Sequence, residues 1–319
     1  QQYSGGNYRD AYENFEKLAL DPDNDPRHVG GDLESAIQCL QQLNRVDEID
    51  AFREKVITAH AKNWRLLHTA AKSYIESPHF GFIVAGTFER GSRRGDGEIV
   101  NSFDRDRVRA LQLMQQAMEL LKQQDEGDGR AVSNFYLDFA RFLLSGRGHD
   151  DAWELQTLTD LAELPDYEKG YGYFRGAPGG SRGAPVDEEG NPVYHHLPES
   201  YQAARTDGER WRWMLHEAAA AMPDRENEVR LIFAGFLHQQ FGVQTLQQYS
   251  FFFGRDAGDS PDDSETAVFS LHTLKETETM ARLADGIKRF TLPDEFNFIK
   301  IYRQVAESGK HSQGEQALN

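Results

Sequence analysis

Apolar residues recur at every third or fourth position through the first part of the chain, the period that places them on one stripe of an α-helix. Ala11, Phe15 and Leu18 share such a stripe in a segment that Pro22 stops. Leu33, Ile37 and Leu40 predict a helix over 32–43. Ile49, Phe52 and Val56 predict another over 46–60, with Asn44-Arg45 as the turn between them. A further helix runs from Trp64 to Glu76 and ends at Ser77-Pro78, because proline excludes the residue before it from helical dihedrals.

Farther along, the string Leu137-Asp138-Phe139-Ala140-Arg141-Phe142-Leu143 is echoed by Leu231-Ile232-Phe233-Ala234-Gly235-Phe236-Leu237, with five of the seven positions identical. Upstream of each lies a charged helix start, 104–109 in one case and 207–212 in the other, and before each start lies a glycine-rich stretch, 88–97 and 174–183. This order predicts a duplicated module of about a hundred residues: helix, glycine-rich loop, capped helix, aromatic helix. Residues 148–153 repeat the opening pattern, with His149 in the place of Tyr8 and Ala152 in the place of Ala11, so a further helical hairpin is expected there. Residues 185–194 read as a short β-hairpin around a Glu-Gly-Asn turn. A polar break follows at 254–266, carrying Asp256, Asp259, Asp262 and Asp263, and then two helices over 271–290 and 293–307.

The opening string, Gly6 to Pro22, resembles the second helix of a tetratricopeptide repeat. Aligning Tyr8 with Val46 and Ala11 with Ile49 gives a repeat step of 38 residues, close to that family's period. The first helix of the opening pair is missing, so the expectation is a chain cut from a longer precursor or one that begins where processing left it. The predicted fold is therefore all-α: a tetratricopeptide-like helical-hairpin solenoid with long glycine-rich loops and one short β-hairpin insertion. Its expected segments are degenerate repeats over 1–77, a first helical module over 78–169, a second over 170–253, and C-terminal helices over 254–319.

Several strings together carry a second resemblance: Phe88-Glu89-Arg90-Gly91, Leu164-Pro165-Asp166-Tyr167 leading to Gly170-Tyr171-Gly172-Tyr173, Gly183-Ala184-Pro185-Val186-Asp187, and Asp207-Gly208-Glu209-Arg210-Trp211-Arg212-Trp213. They look like the helical region that precedes the macroglobulin domains of large bacterial alpha-2-macroglobulin-like proteins. That resemblance implies a cell-envelope or extracellular setting, and a scaffold within a protease-trapping protein. The family's Cys-Gly-Glu-Gln thioester is not present, because Gly314-Glu315-Gln316 follows Gln313, which has no thiol.

Composition narrows the partners. A formal net charge of -17 repels nucleic-acid backbones and anionic membrane surfaces over about a Debye length, and no run of about eighteen apolar residues is present to insert in a bilayer. The expected partner is a protein or peptide, including other domains of the same parent chain. The one cysteine, Cys39, has no second thiol for an intrachain disulfide or a zinc site.

Candidate chemistry is sparse. Arg90, Arg93 and Arg94 among glycines form a basic spot that could hold a partner's carboxylates; an alternative is that they pair with Asp96, Asp104 and Asp106. Tyr171, Tyr173 and Phe174, set among glycines, are either plugs over the helices or a contact surface. These six residues are the predicted protein-binding site. No metal site is expected: His195 and His196 beside Asp187, Glu188 and Glu189 point opposite ways on a strand. Asp21, Asp23 and Asp25 lack the glycine and closing glutamate of a calcium loop. Arg94-Gly95-Asp96 matches an adhesion tripeptide by composition alone. The glycine loops lack a nucleotide-binding ending, and no catalytic set or cofactor motif is legible. A runner-up function is a helical-barrel enzyme acting on glycans through loop carboxylates.

Overall fold

The computed structural model describes residues 3, 5–93, 95–123, 127–147, 149–171, 183–242 and 274–308. Contacts divide the chain into two compact units, Gln1–Asp128 with Thr159–Ala177, and Gly129–Leu158 with Pro178–Asn319.

The first unit begins with α1 (Tyr8–Leu20), capped by Asn7, whose side-chain oxygen accepts from the Asp10 amide. It packs against α2 (Val29–Gln42), and Tyr12 meets Phe52 of α3 (Ile49–Ala59) edge-on at 5.9 Å between ring centroids. Asn44 takes a left-handed φ of 56° at the turn read from Asn44-Arg45, a conformation asparagine tolerates better than most residues. In α4 (Trp64–Ile75), Asn63 caps the start by accepting from the Arg65 and Leu66 amides. Gly30 of α2 is required where the two helices touch: a Cβ there would lie 2.7 Å from Thr69 Oγ1 on α4.

After Pro78 the chain forms strands, which corrects the all-α expectation. The strands β1 (Phe80–Val84), β2 (Thr87–Arg90), β3 (Glu98–Asn101) and β4 (Glu168–Lys169) make an antiparallel sheet in the order β2-β1-β3-β4. The β1–β2 connection is Ala85-Gly86, both at positive φ, the backbone that matches the twist of a two-residue hairpin. The predicted glycine-rich loop at 88–97 therefore opens as a strand. A long helix, α5 (Phe103–Leu121), follows and packs on α4, burying Leu111, Met114 and Met118.

In the second unit, α6 (Gly129–Leu144) packs against α7 (Asp207–Ala221), and α7 against α8 (Glu226–Phe241). The echoed heptapeptide lies on α6 and α8 and buries Phe139, Phe142, Phe233 and Leu237. The echo does not carry over into packing, since the companion of α5 is α4 whereas the companion of α6 is α7. Where a further helical hairpin was expected, a 3-10 helix at His149–Gln156 inserts Ala152 and Leu155 into the core and then gives way to extended chain. The turn read at 185–194 is present: Val186 bridges Pro192, and Gly190 has a φ of 80°.

The predicted helix at 271–290 is corrected, for its described part, to a β-hairpin of β5 (Glu278–Leu283) and β6 (Gly286–Thr291). Asp285-Gly286 is a strong hairpin signal, and Gly286 sits at a φ of 128°. The last helix, α9 (Phe298–Glu307), packs on α8 and is capped by Asn297. Among the described residues the chain is thus mainly helical, with a small four-stranded antiparallel sheet and the β5–β6 pair. Arg94, Tyr173, Phe174 and the polar break at 254–266 lie outside the described residues.

Candidate functional site

Strand pairing in the first unit sorts its side chains onto two faces of the sheet. Residues directly opposite in an antiparallel pair share a face, and successive residues alternate. The register pairs Gly81 with Arg90 and Val100, whereas Phe82 pairs with Glu89 and Ile99, and Phe80 with Asn101. Arg90, Val100 and Phe88 therefore occupy the inner face, and Phe80, Phe82, Ile99 and Glu89 the outer one. Gly81 makes the inner face possible, because a Cβ there would lie 2.6 Å from the Phe88 ring and 2.3 Å from the Glu89 carbonyl oxygen.

The inner face bounds a cavity of about 330 Å³ lined by charged groups from α3, β2 and α5, with Tyr74 of α4 and with Leu164 and Tyr167. Arg90 is its strut. The side chain is 2 % exposed, and its Nη1 and Nη2 each donate at 2.8 Å to the Asp106 carboxylate, itself 4 % exposed. Arg90 Nε donates to Asp50 at 3.0–3.1 Å, and Nη1 also reaches the Pro78 carbonyl and Ser102 Oγ. Asp50 is held from behind by the fully buried Arg53, which lies over the Tyr74 ring with its guanidinium carbon 3.4 Å from the centroid. Glu54, one turn on from Asp50, accepts a two-pronged bond from Arg109 at 2.7 and 2.8 Å and another from the Tyr74 hydroxyl. Arg105 alone among these arginines has no carboxylate partner among the described residues. It donates to the Pro165 carbonyl at 2.9 Å and lies over the Tyr167 ring, which stacks on Phe88.

The electrostatics follow from that wiring. Burial would raise the Asp106 carboxyl, but hydrogen bonds from His79, Arg90 and Ser102 and the charge of Arg90 outweigh it and bring the group down to about 2. Burial would also lower Arg90, and its two carboxylate partners reverse this and raise it. Glu54 is pushed up by burial and brought below its ordinary value by Arg109 and Tyr74. Burial and the neighbouring Glu54 raise the Tyr74 hydroxyl. Asp106 and Glu54 are thus charged at neutral pH, each held by an arginine.

Of the predicted partner-binding residues that the structure describes, Arg90 is set apart from Arg93 and Tyr171. A guanidinium buried between two carboxylates offers nothing to an outside molecule, so Arg90 is corrected from contact residue to structural strut. Its sequence neighbour Asp106 is one of the acids weighed as its partner, whereas Asp50 comes from another helix. Arg93, its side chain about a third exposed, pairs with Glu89 of the outer face. Tyr171, 49 % exposed, has its ring 6.4 Å from Phe80, and its carbonyl accepts from Asn101. Arg93 and Tyr171 are thus each placed against residues of the outer face, which also carries half-buried Phe80, Phe82 and Ile99. The sequence reading named none of Phe80, Phe82 and Ile99, which lie on strands of four or five residues.

Among the described residues no group of three or more His, Cys, Asp or Glu side chains could hold a metal ion. His195 is buried against the first turn of α7, where a Cβ on Gly208 would lie 2.2 Å from its Nδ1, and burial lowers it to about 4. His196 is exposed and faces Glu295. Asp187 spends its carboxylate on the amides of Glu189 and Asn191 in its own turn. Among the described residues no helix is long and apolar enough to cross a membrane. Comparison with family models, curated proteins and solved structures finds no match to this chain.

Proposed function

We propose that the chain is a non-catalytic protein-interaction module whose contact surface is the outer face of the four-stranded sheet. The observation that carries this reading is that one face of the sheet presents the half-buried Phe80, Phe82 and Ile99, with Tyr171 against Phe80 and Arg93 on Glu89 of the same face. An aromatic ring, an arginine and an apolar strip on a rigid sheet are the residue types in which interface energy concentrates. The buried arginine–carboxylate lattice beneath keeps that sheet fixed to α3 and α5, so little ordering accompanies binding. As part of the same proposal, the module is a tetratricopeptide-like solenoid forming the N-terminal helical region of a larger alpha-2-macroglobulin-like protein. The quoted sequence strings and the paired helices α1–α2 and α4–α5 support it.

The experiment is a titration of this chain with the separately produced macroglobulin-domain portion of such a protein. Replacing Arg93 and Tyr171 together by alanine is expected to weaken binding by roughly 2 kcal/mol or more with the circular dichroism unchanged. Absence of binding by the original chain, or equal affinity of the double variant, overturns the proposal.

A glycan-hydrolysing reading has one observation in its favour, the three carboxylates Asp50, Glu54 and Asp106 beside Tyr74 and Tyr167 in one cavity. Hydrolysis of a glycosidic bond requires a carboxylic acid that holds its proton near neutral pH. Asp106 at about 2 and the lowered Glu54 are both in the opposite state, so the binding reading is the stronger one.

A further inference from the structure

The arginine–carboxylate lattice of the inner face does not balance. Four guanidiniums, Arg53, Arg90, Arg105 and Arg109, line the cavity or stand directly behind it, against three carboxylates, Asp50, Glu54 and Asp106. In formal charge the cluster is one positive charge in excess, on a chain whose net charge is -17. The excess sits on Arg105, because Arg53 and Arg90 hold Asp50, Arg90 also holds Asp106, and Arg109 holds Glu54.

Open hydrogen-bonding capacity gathers around the same residue. A guanidinium has five N–H donors. Arg105 uses Nη1 on the Pro165 carbonyl, and its Nε and Nη2 have no partner among the described residues. The Tyr167 ring is held between Phe88, stacked at 4.6 Å, and the Arg105 guanidinium, 4.8 Å from the centroid, so its faces are covered while its hydroxyl, without a partner among the described residues, is left to the cavity. Burial raises that hydroxyl against the opposing charge of Arg105, which keeps it a neutral donor. Acceptors come from α3: the Asp50 and Glu54 side chains are 29 % and 41 % exposed, and a carboxylate has about four lone-pair sites, so each can take a further donor while keeping its arginine. The cavity thus presents fixed donors with unmatched positive charge together with part-exposed acceptors.

We propose that this cavity binds a small hydroxycarboxylate, a sugar acid being the chemistry that fits it. The ligand carboxylate takes the free edge of Arg105 and the Tyr167 hydroxyl, and the ligand hydroxyls donate to Asp50 and Glu54. One negative charge on the ligand cancels the excess, whereas a neutral sugar leaves it and a zwitterionic amino acid brings as much positive charge as negative. An alkyl acid would carry the charge but cover the two α3 carboxylates without supplying donors, which is costly. A volume of about 330 Å³ lies at the small end of ligand pockets and suits about a dozen non-hydrogen atoms. The Pro165 carbonyl and the Tyr167 ring already hold Arg105, so little ordering accompanies binding. This site lies on the face of the sheet opposite the proposed protein-contact surface and does not depend on it.

The test titrates the full chain by calorimetry with glucuronate, glucose and hexanoate. Glucuronate is expected to bind saturably, and glucose and hexanoate each about tenfold more weakly or less. Arg105→Gln is expected to weaken glucuronate by about tenfold or more, and Arg105→Lys, which keeps the charge but not the planar fork, by less. Tyr167→Phe, which keeps the ring stack and removes only the hydroxyl, is expected to weaken it several-fold with an unchanged circular dichroism spectrum. Lack of saturable binding at millimolar glucuronate overturns the proposal. So does glucose or hexanoate binding as tightly as glucuronate, or a folded Arg105→Gln variant matching the original chain. Should Arg105→Gln fail to fold, an unchanged affinity in Tyr167→Phe overturns it instead.

Discussion

At the scale of single residues, Asp106 decides how the first unit responds to acid. Its carboxyl, buried and held at about 2 against an ordinary 3.8, is charged in the folded chain at pH values where the unfolded chain has already taken up a proton. A depressed carboxylate contributes stability that is fully present above its unfolded value and is lost as pH falls through the folded one. The expected loss from this group between pH 5 and pH 2 is roughly 2 kcal/mol. Urea unfolding at those two pH values checks it: Asp106→Asn should lack this part of the acid sensitivity. At pH 7 the same variant should be less stable by roughly 3–5 kcal/mol, because Arg90 is left buried with half its partners. An unchanged acid dependence in the variant would place the sensitivity elsewhere. Half of this arrangement was legible, since Asp106 was one of three nearby acids weighed as partners for the arginines near the glycines. The other half was not, because nothing in a sequence brings Asp50, forty residues earlier, to the same guanidinium.

At the scale of elements, helices were readable and strands were not. The α1, α2, α3, α4 and α9 segments each show a full apolar stripe with a cap or a proline stop, and their observed bounds lie within a few residues of the predicted ones. The sheet strands are only two to five residues long. Such runs hold too few positions for a period of two to stand out, and Gly91, Gly95 and Gly97 made the 88–97 stretch look like loop. Yet Gly81 is what lets β1 and β2 close around the Phe88 ring. Gly81→Ala is therefore expected to destabilise the unit by about 1–3 kcal/mol, since the new methyl meets the Glu89 carbonyl and has no direction in which to yield. A denaturation midpoint equal to that of the original chain would show that the hairpin relaxes at no cost. The hairpin of β5 and β6 was misread as helix for a related reason: Met280, Leu283, Ile287 and Phe290 fall at three- and four-residue intervals as well as on strands, and the Asp285-Gly286 turn was the deciding signal.

At the scale of the whole molecule, the first unit is discontinuous in sequence: Gln1–Asp128 is completed by Thr159–Ala177. The later piece supplies β4, the Tyr167 ring on Phe88 and the Pro165 carbonyl for Arg105. A chain ending at residue 128 should consequently unfold at lower urea concentration than the full chain and expose the ring of Phe88, and adding residues 159–177 as a separate peptide should restore part of the loss. Equal midpoints for the truncated and full chains would make the returning segment dispensable. The predicted boundaries at 77, 169 and 253 follow composition, which records where helices stop; a chain that leaves a unit and comes back to it leaves no such mark.

That return has a consequence for birth on the ribosome. The first unit emerges early, yet the free side of β3 stays unpaired until residues 168 and 169 have cleared the exit tunnel, with all of α6 translated in the meantime. During that interval a short strand edge beside an aromatic face is open to any neighbouring nascent chain. A pause in translation between α5 and β4 would lengthen the exposure, and a chaperone that shields strand edges would shorten it.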